Sequence, residues 1–314
     1  MKDKLIILTG PTAVGKTDLS IKLAKAVDGE IISADSIQVY KHMDIGSAKI
    51  KESEMQGVRH HLIDVLNPNE DFNVVTFKNM ADAAIEDIKN RGHIPIITGG
   101  TGFYIQAVLY DIDFKENEDD GYRTFLENLL FEKGAQYLHD MLKEIDSKSA
   151  DDIHYNNSKK VIRALEYHHQ TGEKISEHNE SERKKNSPFN FAYFVLNCDR
   201  SKLYQRIEKR VDIMIEQGLV DEVKGLIEDY KLTKDMVSMQ GLGYKEIYAY
   251  LQGEISLSDA VYIIKRDTRH FAKRQLTWFR REKDVTWVDK DIYASDEKCL
   301  EYMLRILKDK GIRE

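Results

Sequence analysis

Short apolar runs alternate with helical patterns in the first part of the chain. Apolar runs with the length of buried parallel strands occupy residues 5–8, 30–33, 61–65 and 94–98, of which 61–65 is the weakest. Between them, apolar side chains recur at helical spacing over residues 16–27 and 73–91. This alternation predicts an α/β fold with a doubly wound parallel sheet.

The alternation stops at about residue 113, where a polar, charged and mostly helical pattern begins and continues to residue 188. We interpret residues 113–188 as a helical insertion domain within an α/β core made of residues 1–112 and 189–314. In the second part of the core, the pattern predicts strands at 191–196 and 285–288, long helices at about 200–228 and 256–281, and a C-terminal helix.

Composition narrows the class of protein. The 314 residues are 41% hydrophobic, which is enough for a sizeable core. The formal net charge of -7 argues against a surface that coats nucleic acid throughout, although a local basic surface remains possible. The two cysteines stand apart and predict neither a disulfide framework nor a zinc site. With no signal-peptide or membrane-span pattern, we expect a cytoplasmic monomer.

The strongest motif follows the first predicted strand and opens the first predicted helix. It fits the phosphate-binding pattern G-x4-G-K-[ST] and consists of Gly10, Pro11, Thr12, Ala13, Val14, Gly15, Lys16 and Thr17. Its glycines let backbone amides face an anion, and the helix that follows directs its positive end to the same place. Lys16 adds a charge, and the Thr17 hydroxyl is a candidate Mg2+ ligand. The motif alone is compatible with ATP and equally with a compound that carries a diphosphate.

Two further residues lie at the strand ends where ligands of such sheets bind. Asp35 is a candidate general base, or else a turn residue. Thr101 is a candidate contact near the reacting atoms, or else a helix N-cap. The strand at 94–98 ends without the acidic residue that nucleotide-hydrolysing relatives use for Mg2+. Asp64 could supply that acid, so a small-molecule kinase remains an alternative.

Basic residues on two predicted helices suggest contacts with phosphate. Arg206 and Arg210 are four residues apart, and either could neutralise a leaving diphosphate or simply face solvent. Residues 265–283 contain eight lysines and arginines but only two acidic residues. This stripe, with Arg269, Lys273 and Arg281, predicts phosphate contacts with nucleic acid, although a solvated helix face gives the same pattern. A non-catalytic nucleic-acid-binding switch protein is therefore a second alternative.

Nearly the whole chain resembles the bacterial tRNA dimethylallyltransferases, also called tRNA isopentenyltransferases. The ordered set of matching motifs is specific, unlike the phosphate loop by itself, and comprises residues 10–17, 34–40, 43–49, 60–64, 99–104, 161–166, 241–246 and 268–275. The resemblance implies transfer of a dimethylallyl group from dimethylallyl diphosphate to the exocyclic N6 amine of the adenosine on the 3′ side of the anticodon in tRNA. It also implies a P-loop NTPase-like fold.

Site residues follow from the resemblance position by position. Asp35 then corresponds to the base and Thr101 to a contact near the transfer point. Separately from the resemblance, we expect Arg210 of the helical pair to lie at the diphosphate. Positions that contact tRNA in the family correspond to Asp35, Ser36, Ile37, Gln38, Thr101, Arg123, Lys159, Lys160, Val161, Ile162 and Arg163. The helical insertion corresponds to the domain that grips the anticodon stem-loop.

The chain departs from the family pattern at several of these positions. The family commonly has His-Pro-Asn-Asp where this chain has His154, Tyr155, Asn156 and Asn157. Lys160 stands where arginine is usual, and Arg59 stands where proline is usual. These departures affect local tRNA contacts rather than the implied reaction. The zinc finger of eukaryotic relatives is absent from the sequence, in agreement with the two isolated cysteines.

Overall fold

A computed structural model describes residues 2–114 and 120–313. The chain forms two compact units, one of residues 1–109 with 188–314 and the other of residues 110–187. The second unit begins at Tyr110 rather than at residue 113, because the last helix before it ends at Leu109. Part of the acidic segment that opens the insertion, residues 116–119, lies outside the described residues.

A parallel sheet forms the centre of the first unit. In the described part of the chain it has six strands in the order β3-β2-β4-β1-β5-β6. Their bounds are β1 Lys4–Thr9, β2 Gly29–Ala34, β3 His60–His61, β4 Ile94–Gly99, β5 Asn190–Asn197 and β6 Val285–Asp289. The predicted strand at 61–65 is wrong in extent, since the backbone turns to positive φ at Leu62 and Asp64.

Helices of the first unit cover the sheet. They are α1 Lys16–Val27, α2 Val74–Asn90, α3 Gly102–Leu109, α9 Arg200–Glu216, α10 Leu219–Tyr230, α11 Tyr244–Leu251, α12 Leu257–Phe279 and α13 Asp296–Asp309. Ile6 and Leu8 pack in one cluster with residues of α1 and α13. Leu5 and Ile7 alternate with them and are equally buried, so helices cover both faces of a doubly wound sheet.

The single helix predicted at 200–228 is wrong. Gly218 has φ 98° and lies between α9 and α10, which divides the segment into two helices. Helix α11 was not predicted from the apolar pattern. Among the described residues, no helix combines the length and the apolar character needed to cross a membrane.

The described residues of the second unit form five helices joined by short connections, with no strand. Its helices are α4 Tyr122–Lys133, α5 Ala135–Ile145, α6 Ser147–Asp152, α7 Ser158–Thr171 and α8 Ile175–Lys184. Its core contains Leu126 of α4, Leu138 and Leu142 of α5, and Val161 and Leu165 of α7. This unit therefore has its own hydrophobic core, as an inserted domain needs.

Candidate active site

The P-loop connects β1 to α1 and wraps a tight backbone cradle. Gly10 has φ 150°, and a Cβ there would lie 2.7 Å from the carbonyl oxygen of Leu196. Gly15 has φ 91°, which also favours glycine. The Lys16 ammonium donates hydrogen bonds to the carbonyl oxygens of Gly10 at 3.0 Å and Pro11 at 2.9 Å. These bonds hold the positive charge over the loop whose amides and helix terminus suit an anion.

Two predicted site residues from other elements interact electrostatically with Lys16. Burial and, second, the Arg210 guanidinium lower the pKa of Lys16 to about 8, while the Asp35 carboxylate opposes this shift. Burial also lowers the pKa of Arg210, again against the effect of Asp35. Lys16, Asp35 and Arg210, which come from three different parts of the chain, therefore lie close enough to interact electrostatically. Arg206 is exposed, and its charge acts on the pKa of Cys198 rather than on that of Lys16. It therefore does not share the environment of Lys16.

Asp35 follows β2 and organises the turn after it. Its Oδ1 accepts hydrogen bonds from the backbone amides of Ile37 at 2.8 Å and Gln38 at 3.2 Å. The turn role and the base role are compatible, because among the described residues both of these bonds use only Oδ1. Burial and the charge of Asp35 raise the pKa of Tyr104 to about 12, so this phenol stays neutral beside the carboxylate.

Gln38 ties the same turn to the loop that follows it. Its Oε1 accepts a hydrogen bond from the Ser33 hydroxyl at 3.1 Å. Its Nε2 donates to the carbonyl oxygens of Ser47 at 3.3 Å and Ala48 at 3.4 Å. The side chain of Gln38 therefore supports the position of the 35–38 turn within the protein.

Glu222 on α10 fixes this following loop from the other side. Its carboxylate accepts hydrogen bonds from the amides of Asp44 at 3.0 Å, Ile45 at 2.7 Å and Gly46 at 3.1 Å, and from the Tyr244 hydroxyl at 2.8 Å. Successive amides around one carboxylate form an anion nest. Glu222 was not predicted from the sequence, because the three backbone amides that it binds are more than 170 residues away in the chain.

Thr101 immediately precedes α3, just after the carboxyl end of β4. Its amide donates to the Ala34 oxygen at 3.3 Å, and its own carbonyl accepts from Tyr104 and Ile105 in the first turn of the helix. Thr101 therefore lies at the helix start and next to the end of β2, the strand that leads to Asp35. This is the sheet edge where the sequence predicted it.

Gln275 of α12 connects the P-loop to the turn before Thr101. Its Oε1 accepts from the Thr12 amide at 2.9 Å, and its Nε2 donates to the Gly100 oxygen at 3.0 Å. The side chain is buried and packs so tightly that a Cβ on Gly100 would lie 2.2 Å from Nε2. This role of Gln275 was not predicted from the sequence. The available signal was a glutamine in line with buried Ala272 and Phe279 on one helix face.

Thr17 remains a candidate for metal binding, whereas Asp64, His60 and His61 interact with other groups of the protein. Thr17 is exposed in the first turn of α1 beside Lys16. Asp64 instead pairs with the buried Lys49 at 2.5 Å, and β2 and β4 lie between β1 and β3, the strand that precedes Asp64. It is therefore not placed to complete a Mg2+ site at Thr17. The His61 ring nitrogen lies 2.7 Å from the Glu30 carboxylate, and the His60 ring nitrogen lies 2.9 Å from the Val58 carbonyl oxygen, so both imidazoles are engaged within the protein.

Part of the basic stripe on α12 is neutralised within the first unit. Lys265 pairs with Asp212 at 2.5 Å, and Arg269 pairs with Glu208 at 2.7 Å. Both acids belong to α9, so the phosphate role predicted for Arg269 competes with an internal ion pair. Lys273 and Arg281 are exposed. The candidate nucleic-acid stripe therefore depends on its exposed part.

In the second unit, the predicted tRNA contacts divide into surface and core. Lys159, Lys160 and Arg163 are exposed on α7. Val161 and Ile162 are buried in the core of this unit, so their side chains do not form part of its surface. The prediction that these two residues contact tRNA therefore does not hold for their side chains.

The departures from the family pattern are also at the surface. His154 and Tyr155 stack with ring centroids 4.4 Å apart just before α7, and Asn157 precedes the first residue of that helix. Arg59, in the first unit, is exposed, and its carbonyl accepts a hydrogen bond from the Ile31 amide at 3.0 Å. The substitution at residue 59 is compatible with pairing at the sheet edge.

Comparison with known proteins shows to which family the chain belongs. The sequence profile described as IPP transferase matches residues 38–282. A tRNA dimethylallyltransferase from Lachnoclostridium phytofermentans is 60% identical over 309 residues, covering 98% of each chain. The solved tRNA isopentenylpyrophosphate transferase of Bacillus halodurans is 44% identical with a TM-score of 0.74, covering 99% of this chain and 98% of that one. A eukaryotic dimethylallyltransferase acting on tRNA is 31% identical with a TM-score of 0.86, covering 99% and 80%. The chain belongs to the IPP transferase family.

Proposed function

We propose that this protein transfers a dimethylallyl group from dimethylallyl diphosphate to the exocyclic N6 amine of the adenosine next to the anticodon, on its 3′ side, in tRNA. The observation that carries the proposal is the grouping of Lys16 and Arg210 with the carboxylate of Asp35 at the ligand edge of a parallel sheet. Two cations suit a diphosphate, and a carboxylate beside them suits a second substrate that loses a proton. The relatives named above carry this activity in their names.

The P-loop is the site for the diphosphate. Its amides and the start of α1 face the phosphate oxygens, while Lys16 and Arg210 oppose the negative charge that grows on the leaving group. Because these cations are partly desolvated, their attraction for an anion is stronger than in water. Asp35 carries the opposite charge and therefore faces the acceptor rather than the diphosphate.

Thr17 fits a role as the protein ligand of Mg2+. Its exposed hydroxyl lies one residue after Lys16, and a hydroxyl together with diphosphate oxygens is a donor set that Mg2+ accepts. When bound, Mg2+ would add positive charge against the leaving diphosphate. The same motif is used for ATP in other proteins, but Asp64 is engaged by Lys49 and gives no support to a kinase.

Asp35 serves as the base in the transfer. The bond between the allylic carbon and the diphosphate oxygen breaks, the bond between that carbon and N6 forms, and the N6 proton passes to the carboxylate. An exocyclic amine is a weak nucleophile, and removal of its proton avoids a cationic product. The amine must come within about 3–3.5 Å of the carbon, so the adenine leaves its stack in the anticodon loop.

The second unit supplies the surface for the anticodon stem-loop. Exposed Lys159, Lys160 and Arg163 on α7, together with Arg123 on α4, offer positive charge to the RNA backbone. Exposed Lys273 on α12 and Arg281, which lies just after the end of that helix, add to the phosphate contacts in the first unit. These contacts position the tRNA, while the adenine is selected by its fit beside Asp35.

The direct test is to incubate the protein with unmodified tRNA, Mg2+ and radiolabelled dimethylallyl diphosphate, and then to map the label. We expect label on the adenosine 3′ to the anticodon and release of diphosphate. A tRNA with guanosine at that position and the Lys16→Ala protein are the matched controls, and neither should yield product. Turnover of ATP without labelling of tRNA would overturn the proposal.

A further inference from the structure

One buried carboxylate in the second unit holds two of the arginines assigned to the tRNA surface. Glu166 of α7 accepts hydrogen bonds from Arg123 of α4, from Nε at 3.1 Å and from NH2 at 2.9 Å. It also interacts with Arg163, one turn earlier on α7, whose NH1 lies 3.5 Å away. The Glu166 side chain is 11% exposed, whereas those of Arg123 and Arg163 are 46% and 45% exposed.

This arrangement is not an ordinary surface ion pair. Exposed pairs between long side chains contribute little, because holding both chains in one geometry costs conformational entropy. Here the carboxylate is fixed by burial, and the Arg123 bonds form a two-pronged fork with defined orientation. Each guanidinium has five N–H donors, so each keeps donors that Glu166 does not use.

We propose that Glu166 is a positioning residue for tRNA, which orients the guanidinium groups of Arg123 and Arg163 toward RNA phosphate. This inference rests on the proposed function, because it takes both arginines to lie on the tRNA surface. Since the two arginines come from different helices, Glu166 fixes their spacing as well as their direction. The triad retains a net positive charge, which suits an anionic ligand.

A positioning role and a purely electrostatic role for Glu166 predict opposite effects on the binding of cognate tRNA. Replacing Glu166 with glutamine removes a negative charge from a surface that binds an anion, so electrostatics alone favours tighter RNA binding. Loss of the fixed orientation of the two arginines should instead weaken the binding of cognate tRNA, while the binding of unrelated RNA should not be weakened. The ratio of the two affinities therefore separates positioning from simple charge.

The experiment compares Glu166→Gln with Glu127→Gln. Glu127 is the matched control, since it lies 3.9 Å from Arg123 and is 55% exposed, so its loss removes the same charge without an oriented fork. For Glu166→Gln we expect KM for cognate tRNA to rise about tenfold, the scale of one misplaced charged contact. We expect kcat, KM for dimethylallyl diphosphate and affinity for unrelated RNA to be maintained. Glu127→Gln should stay within about twofold of wild type in every parameter.

Thermal unfolding shows whether each variant is folded at the assay temperature. If Glu166→Gln is not folded, Glu166→Asp keeps the charge and withdraws the carboxylate by one methylene, and it should raise KM for tRNA as well. A folded Glu166 variant with wild-type KM for tRNA, or with equal losses for cognate and unrelated RNA, would overturn the inference. The variants Arg123→Ala and Arg163→Ala distinguish a failure of this inference from a failure of the proposed tRNA surface. If neither weakens tRNA binding, the assigned surface itself is wrong.

Discussion

Replacing Gln275 with methionine removes both hydrogen bonds that join the P-loop to the turn at Gly100, while the side-chain volume is nearly kept. In the wild-type protein these bonds are 2.9 Å and 3.0 Å long and come from a buried side chain. Each contributes about 1 kcal/mol net. Without these two bonds, the state in which the P-loop and the turn at Gly100 are joined loses up to about 2 kcal/mol of stability relative to states in which they are apart.

That free energy sets the size of the expected effect on catalysis. At about 1.4 kcal/mol per factor of ten, the population with both loops in place falls by at most about thirtyfold. Binding of the donor to the P-loop is affected by the same factor, so we expect kcat/KM for dimethylallyl diphosphate to fall by up to about thirtyfold. Gln275→Glu should lower kcat/KM further than Gln275→Met, because it places a negative charge beside the diphosphate. It does so although the acceptor for the Thr12 amide is kept.

The assay is steady-state transfer with tRNA saturating and the donor varied. Thr277→Met is the matched control, since it changes an exposed, uncharged neighbour on the same helix and should behave like wild type. Gly100→Ala attacks the same bridge from the other side, because its Cβ would lie 2.2 Å from Nε2 of Gln275. A value of kcat/KM for Gln275→Met within about threefold of wild type would refute the bridge as a determinant of catalysis.

Three further predictions concern charged groups. Because the pKa of Lys16 is about 8 and its protonated form binds the diphosphate, KM for the donor should rise above pH 8; Lys16→Arg should abolish this rise, and a KM that stays flat to pH 9 would contradict it. Arg281→Ala should lower the log–log salt slope of tRNA binding by roughly 0.7–0.9, whereas Lys265→Ala, whose charge is paired with Asp212, should lower it less; equal slopes would argue against the exposed part of the stripe. Burial raises the pKa of Glu282 to about 7, so the folded state binds more protons than the unfolded state between about pH 4.5 and pH 7 and stability falls as pH rises through this window. Glu282→Gln should therefore raise Tm at pH 8, and a lower Tm there would refute the assigned cause.

Local patterns allowed much of the fold to be predicted. The glycine-rich loop between an apolar run and a helical pattern correctly located β1, α1 and the P-loop, because its chemistry depends on neighbouring residues. The break at Gly218 was missed, since apolar spacing continues across it and only the left-handed backbone divides α9 from α10. The length of strand β3 was overestimated for the same reason, because the apolar run continues into Leu62 and Asp64, whose φ is positive.

The contacts within the candidate site depend on long-range packing and escaped prediction. Gln275 bonds Thr12 across 263 residues, and Glu222 binds the amide of Gly46 across 176 residues. Lys265 and Arg269 appeared as free cations in the sequence, because their acidic partners are on another helix. Residue types at strand ends therefore indicated where the chemistry lies, while the residues that hold it in place required the three-dimensional structure.

Single-turnover transfer by Asp35→Asn, with both substrates saturating, tests the assigned reaction most directly. Asparagine keeps an Oδ1 acceptor for the amides of Ile37 and Gln38, so the turn is preserved while the base is removed. Loss of the carboxylate also leaves Lys16 and Arg210 more positive toward the diphosphate, so donor binding should be maintained or strengthened. We predict a transfer rate lower by about 10²–10⁴, the usual range for a general base. A rate within about threefold of wild type would contradict the assignment and leave Asp35 as a turn residue.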